Sequence, residues 1–417
     1  MRAKFERIDS FNRNILIVFA GNSLVNFFNL VYQLLIAHNL TAANFAAFNS
    51  LLSIFMMIST PLSTLQLALA KYCAGCSAQG LGSKVRSLCS GLLKKAVLLA
   101  AATFGLFWLL SGQLMLSLKI PSLSAGYILA ALLALSWVAP LFSGVAQGLE
   151  LFGWSSGASL AGAALKLALS VIFIKLGFNI AGALGALGIS SFVSMFILYL
   201  PLKKYIGLKA SSQEAEYKPV LSFLLPVAIS NFSFIALASM DMVLVKHFFS
   251  EDSAGVYALA QMVGKIFLFF PGAISMVMFP RASGLNARNL DTGVVLRRSL
   301  FYAAALCLTA VVVYNSAPSF VLRMLTGKAP AESVALGRLF SISMSFFALS
   351  FILVTYFLSI NDLRFVKYLF GLGVLQCGAI MSWHASLAQV QVILSVNALL
   401  LFLIYLMLAF KRPDARP

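Results

Sequence analysis

Charge is what this sequence lacks most. Asp, Glu, Lys and Arg make up 10% of its 417 residues, where a soluble chain carries about a quarter. The charged surface that keeps a folded chain in water is missing. Acidic residues are scarcest, 12 against 30 Lys and Arg, and there are three histidines. No GxxxxGK[ST], HExxH or GxSxG occurs, so the sequence offers no phosphate-cradling loop, zinc helix or nucleophile elbow. ATP is therefore excluded as a direct energy source, and no metal or other cofactor is expected. Cys73 and Cys76 form a lone CxxC without a second pair or a nearby histidine, too little for a tetrahedral zinc site. They are expected to pack as small residues. The basic start (Arg2, Lys4, Arg7, Arg13) runs into an apolar stretch too long for the core of a cleavable signal.

What remains is oil: 61% of the residues are hydrophobic. A bilayer is the solvent that suits them, at about 20 apolar residues per crossing. Twelve spans are expected, at 14–37, 44–70, 92–111, 126–146, 155–175, 180–201, 220–246, 254–279, 299–318, 335–358, 365–383 and 390–410. Helices are their expected form, because backbone groups in lipid must be satisfied within the segment. The expected fold is an all-α polytopic membrane protein. The excess of Lys and Arg, net +18, would suggest nucleic acid in a soluble chain. Here it follows the positive-inside rule, and no nucleic-acid partner is expected. Counting residues near span ends with the adjoining loops, 22 of the 30 Lys and Arg fall on one side and five on the other, with Lys166, Lys265 and Arg338 within spans. That asymmetry places both termini in the cytoplasm.

The most polar connection, KKYIGLKASSQEAEYK (Lys203 to Lys218), divides six spans from six. The expected division is a lobe at 1–202, a cytoplasmic linker at 203–219 and a lobe at 220–417. An offset of 209 residues aligns the halves. Asn22 falls on Asn231, Tyr32 on Asp241, Leu35 on Leu244, His38 on His247, Thr41 on Ser250 and Phe48 on Tyr257, while Pro61 misses Pro271 by one position. Six spans per half preserve orientation, so the repeats would be parallel, an architecture that places substrate sites between halves.

Several polar residues lie where lipid should be. Asn22, Asn26, Asn29 and Gln33 recur at spacings of four, three and four, one stripe of a helix. A carboxamide facing hydrocarbon is costly unless paired, so the stripe faces protein or a hydrated path. The corresponding span carries Asn231 and Asp241. Asp241 lies about five residues from the outer end of its span, roughly 7–8 Å deep, shallow enough to reach water. It is a candidate for proton or cation coupling, for gating or for a local pair. Lys166 and Lys265 each fall about eleven residues into a span, where an ammonium costs about 2.5–3.5 kcal/mol. Gln261 shares a helical face with Lys265. Two central cations suggest an anion such as a phosphate or diphosphate; a buried pair with Asp241 or Glu150 is the alternative. Gly144 with Gly148, Gly153 with Gly157, and Gly182, Gly185 and Gly188 are expected to mark close helix contacts.

Three stretches carry a resemblance: LLIAHNLTAANFAAFNSLLSIF (Leu34 to Phe55), SGVAQGLELFGW (Ser143 to Trp154) and MDMVLVKHFFSEDSAGVYALAQMVGKIFLFFPGAISMVMFPR (Met240 to Arg281). Together they resemble the polysaccharide-export flippases of the MOP superfamily, which also holds the MATE drug antiporters and the lipid II flippases. The resemblance implies two six-helix lobes forming a V around a cavity. It also implies movement of a polyprenyl-diphosphate-linked oligosaccharide across the cytoplasmic membrane by alternating access. Spans one, two, seven and eight would line the cavity, bringing Asn22, Asn26, Asn29, Gln33, Asp241, Gln261 and Lys265 into it. Asp241 matches the family's seventh-span acid. On this reading Lys166 and Lys265 bind the diphosphate, the amides (Asn231 included) bind sugar hydroxyls, and Asp241 couples or gates. The implied partners are the lipid-linked glycan, membrane lipids, and the glycosyltransferases and polymerase of the same pathway, with a proton or sodium gradient as the driving force. Many relatives have fourteen spans, so the tail-binding role of the extra pair is not expected here. Two rivals remain: a MATE-like cation-coupled multidrug antiporter, and a non-transporting membrane subunit of a polysaccharide-synthesis complex.

Overall fold

A computed structural model describes the backbone of residues 2–79, 82–203, 205, 218–269 and 271–410. It describes the side chains of residues 20–76, 79, 85–203, 205, 227–268 and 271–410. The described residues are helical almost throughout. Six helices come first: α1 (Arg2–Asn39), α2 (Ala42–Ala78), α3 (Gly82–Ser117), α4 (Leu123–Gly148), α5 (Phe152–Lys175) and α6 (Asn179–Leu202). Then follow α7 (Lys218–Phe248), α8 (Glu251–Phe269), α9 (Gly272–Ala287), α10 (Gly293–Ser316), α11 (Pro318–Thr326), α12 (Ala331–Ser359), α13 (Phe365–Ser382) and α14 (Leu387–Phe410). Among the described residues, eleven helical stretches are long and apolar enough to cross a bilayer: α2 to α7, α8 with α9, α10, α12, α13 and α14. The first expected span, 14–37, falls within α1, whose side chains are described only from residue 20. The short α11 lies where the sequence suggested only a loop.

The repeat is written into the helix ends. α1 ends at 39 and α7 at 248, α2 begins at 42 and α8 at 251, and α2 ends at 78 and α9 at 287. Each pair differs by the same 209 residues that align the sequences. The halves differ at the proline. Pro61 sits inside an unbroken α2, whereas Pro271 stands at the N-cap of α9, after the end of α8. Glu150 (φ 57°) and Asn361 (φ 57°) take the left-handed conformation two residues beyond α4 and α12, closing equivalent helices alike.

The chain forms two compact units. One comprises Met1–Leu40 and Phe55–Ala228, the other Thr41–Ile54 and Ile229–Pro417. Thr41–Ile54 therefore belongs with the second unit, although the sequence assigned it to a lobe at 1–202. The linker expected at 203–219 falls mostly outside the described residues. The physical reason for the transfer is visible in side chains. A methyl on Gly255 of α8 would come within 2.8 Å of the Ala42 backbone carbon, so α8 and the start of α2 meet at the distance only glycine allows. Asn49 also accepts a hydrogen bond from Lys265, at 2.9 Å.

Within the first unit α3 packs on α4, α5 on α6 and on α1, and α4 on α6. Small residues set some of these contacts. A methyl on Gly148 would lie 2.6 Å from Cβ of Cys73 and 2.7 Å from the Ala70 carbonyl oxygen, and one on Gly144 would lie 2.7 Å from the Gln66 oxygen. Cys73, Cys76 and Cys89 are packed in the apolar core around this crossing. The Gly153–Gly157 pair differs: a methyl at either position meets nothing within 4 Å. Spacing of two glycines made the surface smooth there without bringing another helix to it.

Candidate functional site

Each unit holds a polar cluster on membrane-crossing helices. In the second unit the cluster is built on one face of α8, where Tyr257, Gln261 and Lys265 stand four residues apart. Asp241 of α7 reaches this face. Its carboxylate accepts from the Tyr257 hydroxyl at 2.8 Å and from Gln261 Nε2 at 3.0 and 3.2 Å. Asp241 and Tyr257 are fully buried and Gln261 is 1% exposed. Beyond Tyr257, Gln391 of α14 offers Oε1 at 3.5 Å and donates to the Ser343 hydroxyl of α12 at 3.0 Å. Lys265, half-buried one turn along from Gln261, donates to Asn49, which itself donates to the Phe45 carbonyl.

Two features of this cluster matter chemically. Asp241 is sealed from solvent, contrary to the expectation that it could reach water. Its depth along α7 is shallow, but α8 covers it laterally, and depth along a helix does not measure cover. The Gln261 Oε1 atom is buried without a partner. With the carboxylate ionised, the Gln261 amide donates to it. With the carboxyl protonated, rotation of that amide by half a turn presents Oε1 to the new O–H donor. The same side chain can thus serve both states of Asp241. Replacing Tyr257 by Phe removes one of the donors to the buried carboxylate, and a loss of about 1–3 kcal/mol is expected. It should show as a lowered Tm of the purified protein, with helix content by circular dichroism unchanged.

In the first unit the cluster centres on Lys166 of α5, 9% exposed. Its ammonium donates to Asn29 Oδ1 and lies 4.5 Å from the centre of the Tyr32 ring. That face attracts a cation through its quadrupole. The Tyr32 hydroxyl donates to the Ala183 carbonyl of α6 at 3.1 Å. Lys166 thus ties α5 to α1, and Tyr32 ties α1 to α6.

The expected stripe on α1 divides. Asn29 and Gln33 are half-buried, Asn29 on Lys166, whereas Asn22 and Asn26 are exposed. Asn231 is half-buried on α7 and is not among the hydrogen-bond partners of Asp241. The structure brings Asp241 together with Gln261, as their shared half allowed, and leaves each lysine on an amide rather than on a carboxylate. An ion pair joins Arg364 to Asp362, at 2.6 Å. Four participants were not singled out by sequence: Tyr257 as a ligand of Asp241, Tyr32, Asn49 and Gln391. Tyr257 was detectable, because it precedes Gln261 by four residues on the same helical face. Asn49 and Gln391 carried no such signal.

A family model described as "Polysaccharide biosynthesis protein" matches residues 11–286, about two thirds of the chain and both clusters' principal helices. The chain belongs to the polysaccharide biosynthesis protein family. No curated protein sequence matches it. Solved structures match over nearly the whole length of this polysaccharide biosynthesis protein. An inward-facing multidrug resistance MATE family transporter of the MOP superfamily superposes with a TM-score of 0.75 at 17% identity, covering 94% of this chain and 96% of that one. Lipid II flippase MurJ, in an inward closed conformation, gives 0.72 at 12% identity, covering 95% and 88%. An outward-facing MATE transporter gives 0.63 at 16% identity, covering 95% and 94%. At such identities the likeness is one of fold: the family protein has the fold of the MOP-superfamily transporters. The expectation of a polytopic, MATE-like helical protein of polysaccharide biosynthesis is met.

Proposed function

We infer that this protein moves a lipid-linked oligosaccharide of the polyprenyl-diphosphate type across the cytoplasmic membrane by alternating access, without a catalytic step. One observation supports this reading beyond the family match. Lys166 and Lys265, both on membrane-crossing helices, are held by the neutral amides Asn29 and Asn49 and not by carboxylates. An amide orients an ammonium without cancelling its charge, so Lys166 can still bind an anion, and so can Lys265 to the extent that the nearby Asp241 carboxylate leaves its charge free. A diphosphate is the anion that a lipid-linked sugar supplies. The exposed amides Asn22 and Asn26, with Asn29 and Gln33 on the same helix and Asn231 on α7, suit sugar hydroxyls because they both donate and accept. Gln261 serves Asp241 first. Both termini lie in the cytoplasm on this reading, and the glycosyltransferases and polymerase of the pathway act on either side of the step.

The buried Asp241 supports a coupling role, with a proton or sodium ion as the driving species. A carboxylate alone would also suit a drug antiporter of organic cations, but that cavity should be acidic, and here two lysines accompany a single buried acid, whose charge reaches Lys265. The deciding experiment is glycan export in a strain lacking the gene. Lys166→Gln and Lys265→Gln should each lower export on the order of tenfold, the ~1.4 kcal/mol of a lost charge-assisted contact, with the protein present in the membrane at wild-type level. Export unchanged in both variants would refute the anion role. Full export restored by variants defective in transport of a lipid-linked glycan in vesicles would show a scaffold instead.

A further inference from the structure

The α4–α6 face of the first unit carries a groove of about 740 Å³ that uses none of these polar residues. Ile128 and Leu132 of α4 form one wall, Phe178 and Phe192 belong to the α6 side, and Gly185 and Gly188 form the floor. Methyls placed on Gly185 and Gly188 would lie 3.9 Å from Ile128 and 3.6 Å from Leu132. The contacts advance together in sequence, so α4 and α6 run side by side in the same direction. The groove follows α4 from Ser124 to Leu135, roughly 16 Å at about 1.5 Å per residue. That is half of a hydrocarbon core about 30 Å thick: the groove is one leaflet deep. Its rim is exposed, Phe178 by 56%, Ile189 by 44% and Phe192 by 55%. On a membrane-crossing bundle such apolar surface meets lipid chains.

The open end has a charge of one sign. Lys175 ends α5 inside the turn that the Phe178 N–H closes on the Phe173 carbonyl at 3.0 Å, and both phenylalanines line the groove. Lys119 stands in the turn that leads into α4 and Ser124. Both lysines are exposed. Between Gly82 and Leu202 the one acidic residue is Glu150, just past the opposite end of α4. An apolar slot one leaflet long, with two exposed lysines at its end and Glu150 as the one acid in this stretch of chain, complements a molecule with a hydrocarbon chain and an anionic head.

We propose that this groove binds one acyl chain of an anionic glycerophospholipid, with Lys119 and Lys175 beside the headgroup phosphate. The occupant is a resident membrane lipid, separate from the transported substrate. The two parts of the site can be removed independently. Gly185→Leu fills the slot: the position has room for a methyl at van der Waals distance, and the rest of the side chain projects into the groove. Lys119→Gln with Lys175→Gln removes the charge at two exposed positions and keeps side chains of similar length.

Delipidated full-length protein, offered phosphatidylglycerol or phosphatidylcholine in detergent and read by native mass spectrometry, tests the site. Wild type should retain phosphatidylglycerol over phosphatidylcholine. Gly185→Leu should lose that retention at least about fivefold, and the double lysine variant should fall about fivefold or more, to the phosphatidylcholine level. Equal retention of phosphatidylglycerol by wild type and the double lysine variant would overturn the proposal, as would no preference between the two lipids in wild type. A polyprenyl phosphate that displaces phosphatidylglycerol at equimolar amounts, or a photocrosslinker at Phe192 that joins two copies of the chain, would assign the groove to another occupant. Export assays with the lysine variants should stay at wild-type level, which keeps this test separate from that of Lys166 and Lys265.

Discussion

Asp241→Asn should stop transport while leaving the protein folded. The carboxylate is fully buried and bonded to the Tyr257 hydroxyl and the Gln261 amide. An asparagine has the same shape. The tyrosine hydroxyl can accept where it now donates, and the Gln261 amide can turn its oxygen, now unpartnered, toward the new N–H group. Packing and hydrogen bonding are therefore retained. What disappears is the ability to take up and release a proton or to hold a cation. If Asp241 couples transport to an ion gradient, export should fall on the order of 100-fold, the ~3 kcal/mol of a hydrogen-bonded charged group. Asp241→Ala removes the partner as well. It strands a buried hydroxyl and an amide, so it should also lower Tm, by an amount corresponding to about 2–4 kcal/mol. The informative comparison is export against membrane abundance for both variants. An asparagine variant that exports at the wild-type rate under the same gradient would rule out coupling at this residue and leave it a packing device.

The second large effect concerns folding. Gly148→Leu should destabilise the first unit severely. Even the Cβ atom would stand 2.7 Å from the Ala70 carbonyl oxygen and 2.6 Å from Cβ of Cys73. The obstruction is backbone, which cannot rotate away, so α2 and α4 must separate and the core around Cys73, Cys89 and Val145 opens. Overpacking costs about 1–3 kcal/mol or more, and a Tm lower by at least about 5 °C is expected. Gly157→Leu is the matched control. It belongs to a pair of identical spacing, yet a Cβ placed there meets nothing within 4 Å at an exposed position, and its Tm should move by no more than about 1 °C. Equal shifts in the two variants would mean that glycine at these positions acts through helix propensity and not through contact.

Those two glycine pairs show how far a sequence of this kind can be read. Hydrophobic run length specified where helices lie, because in lipid a backbone has few alternatives to the helix. The 209-residue offset foresaw equivalent helix ends, such as 39 with 248 and 42 with 251. The four-residue spacing of Gln261 and Lys265 foresaw their common face. Contacts between distant segments were not legible. GxxxG spacing is the same at 144–148 and 153–157, and only the first meets a neighbouring helix. Thr41–Ile54 reads as part of the first half, yet it packs with α8.

The sequence by itself determined the class of this protein: too little charge for water, helical runs of bilayer length, a duplicated half and cations placed in the spans. These follow from composition and period, which act locally along the chain. Tertiary structure decided the state of each polar group. It sealed Asp241 behind α8, set Lys166 on Asn29 and Tyr32, and set Lys265 on Asn49. The reason is that burial and pairing depend on which helices lie side by side, and residues 29 and 166, or 49 and 265, share no local pattern that announces their meeting.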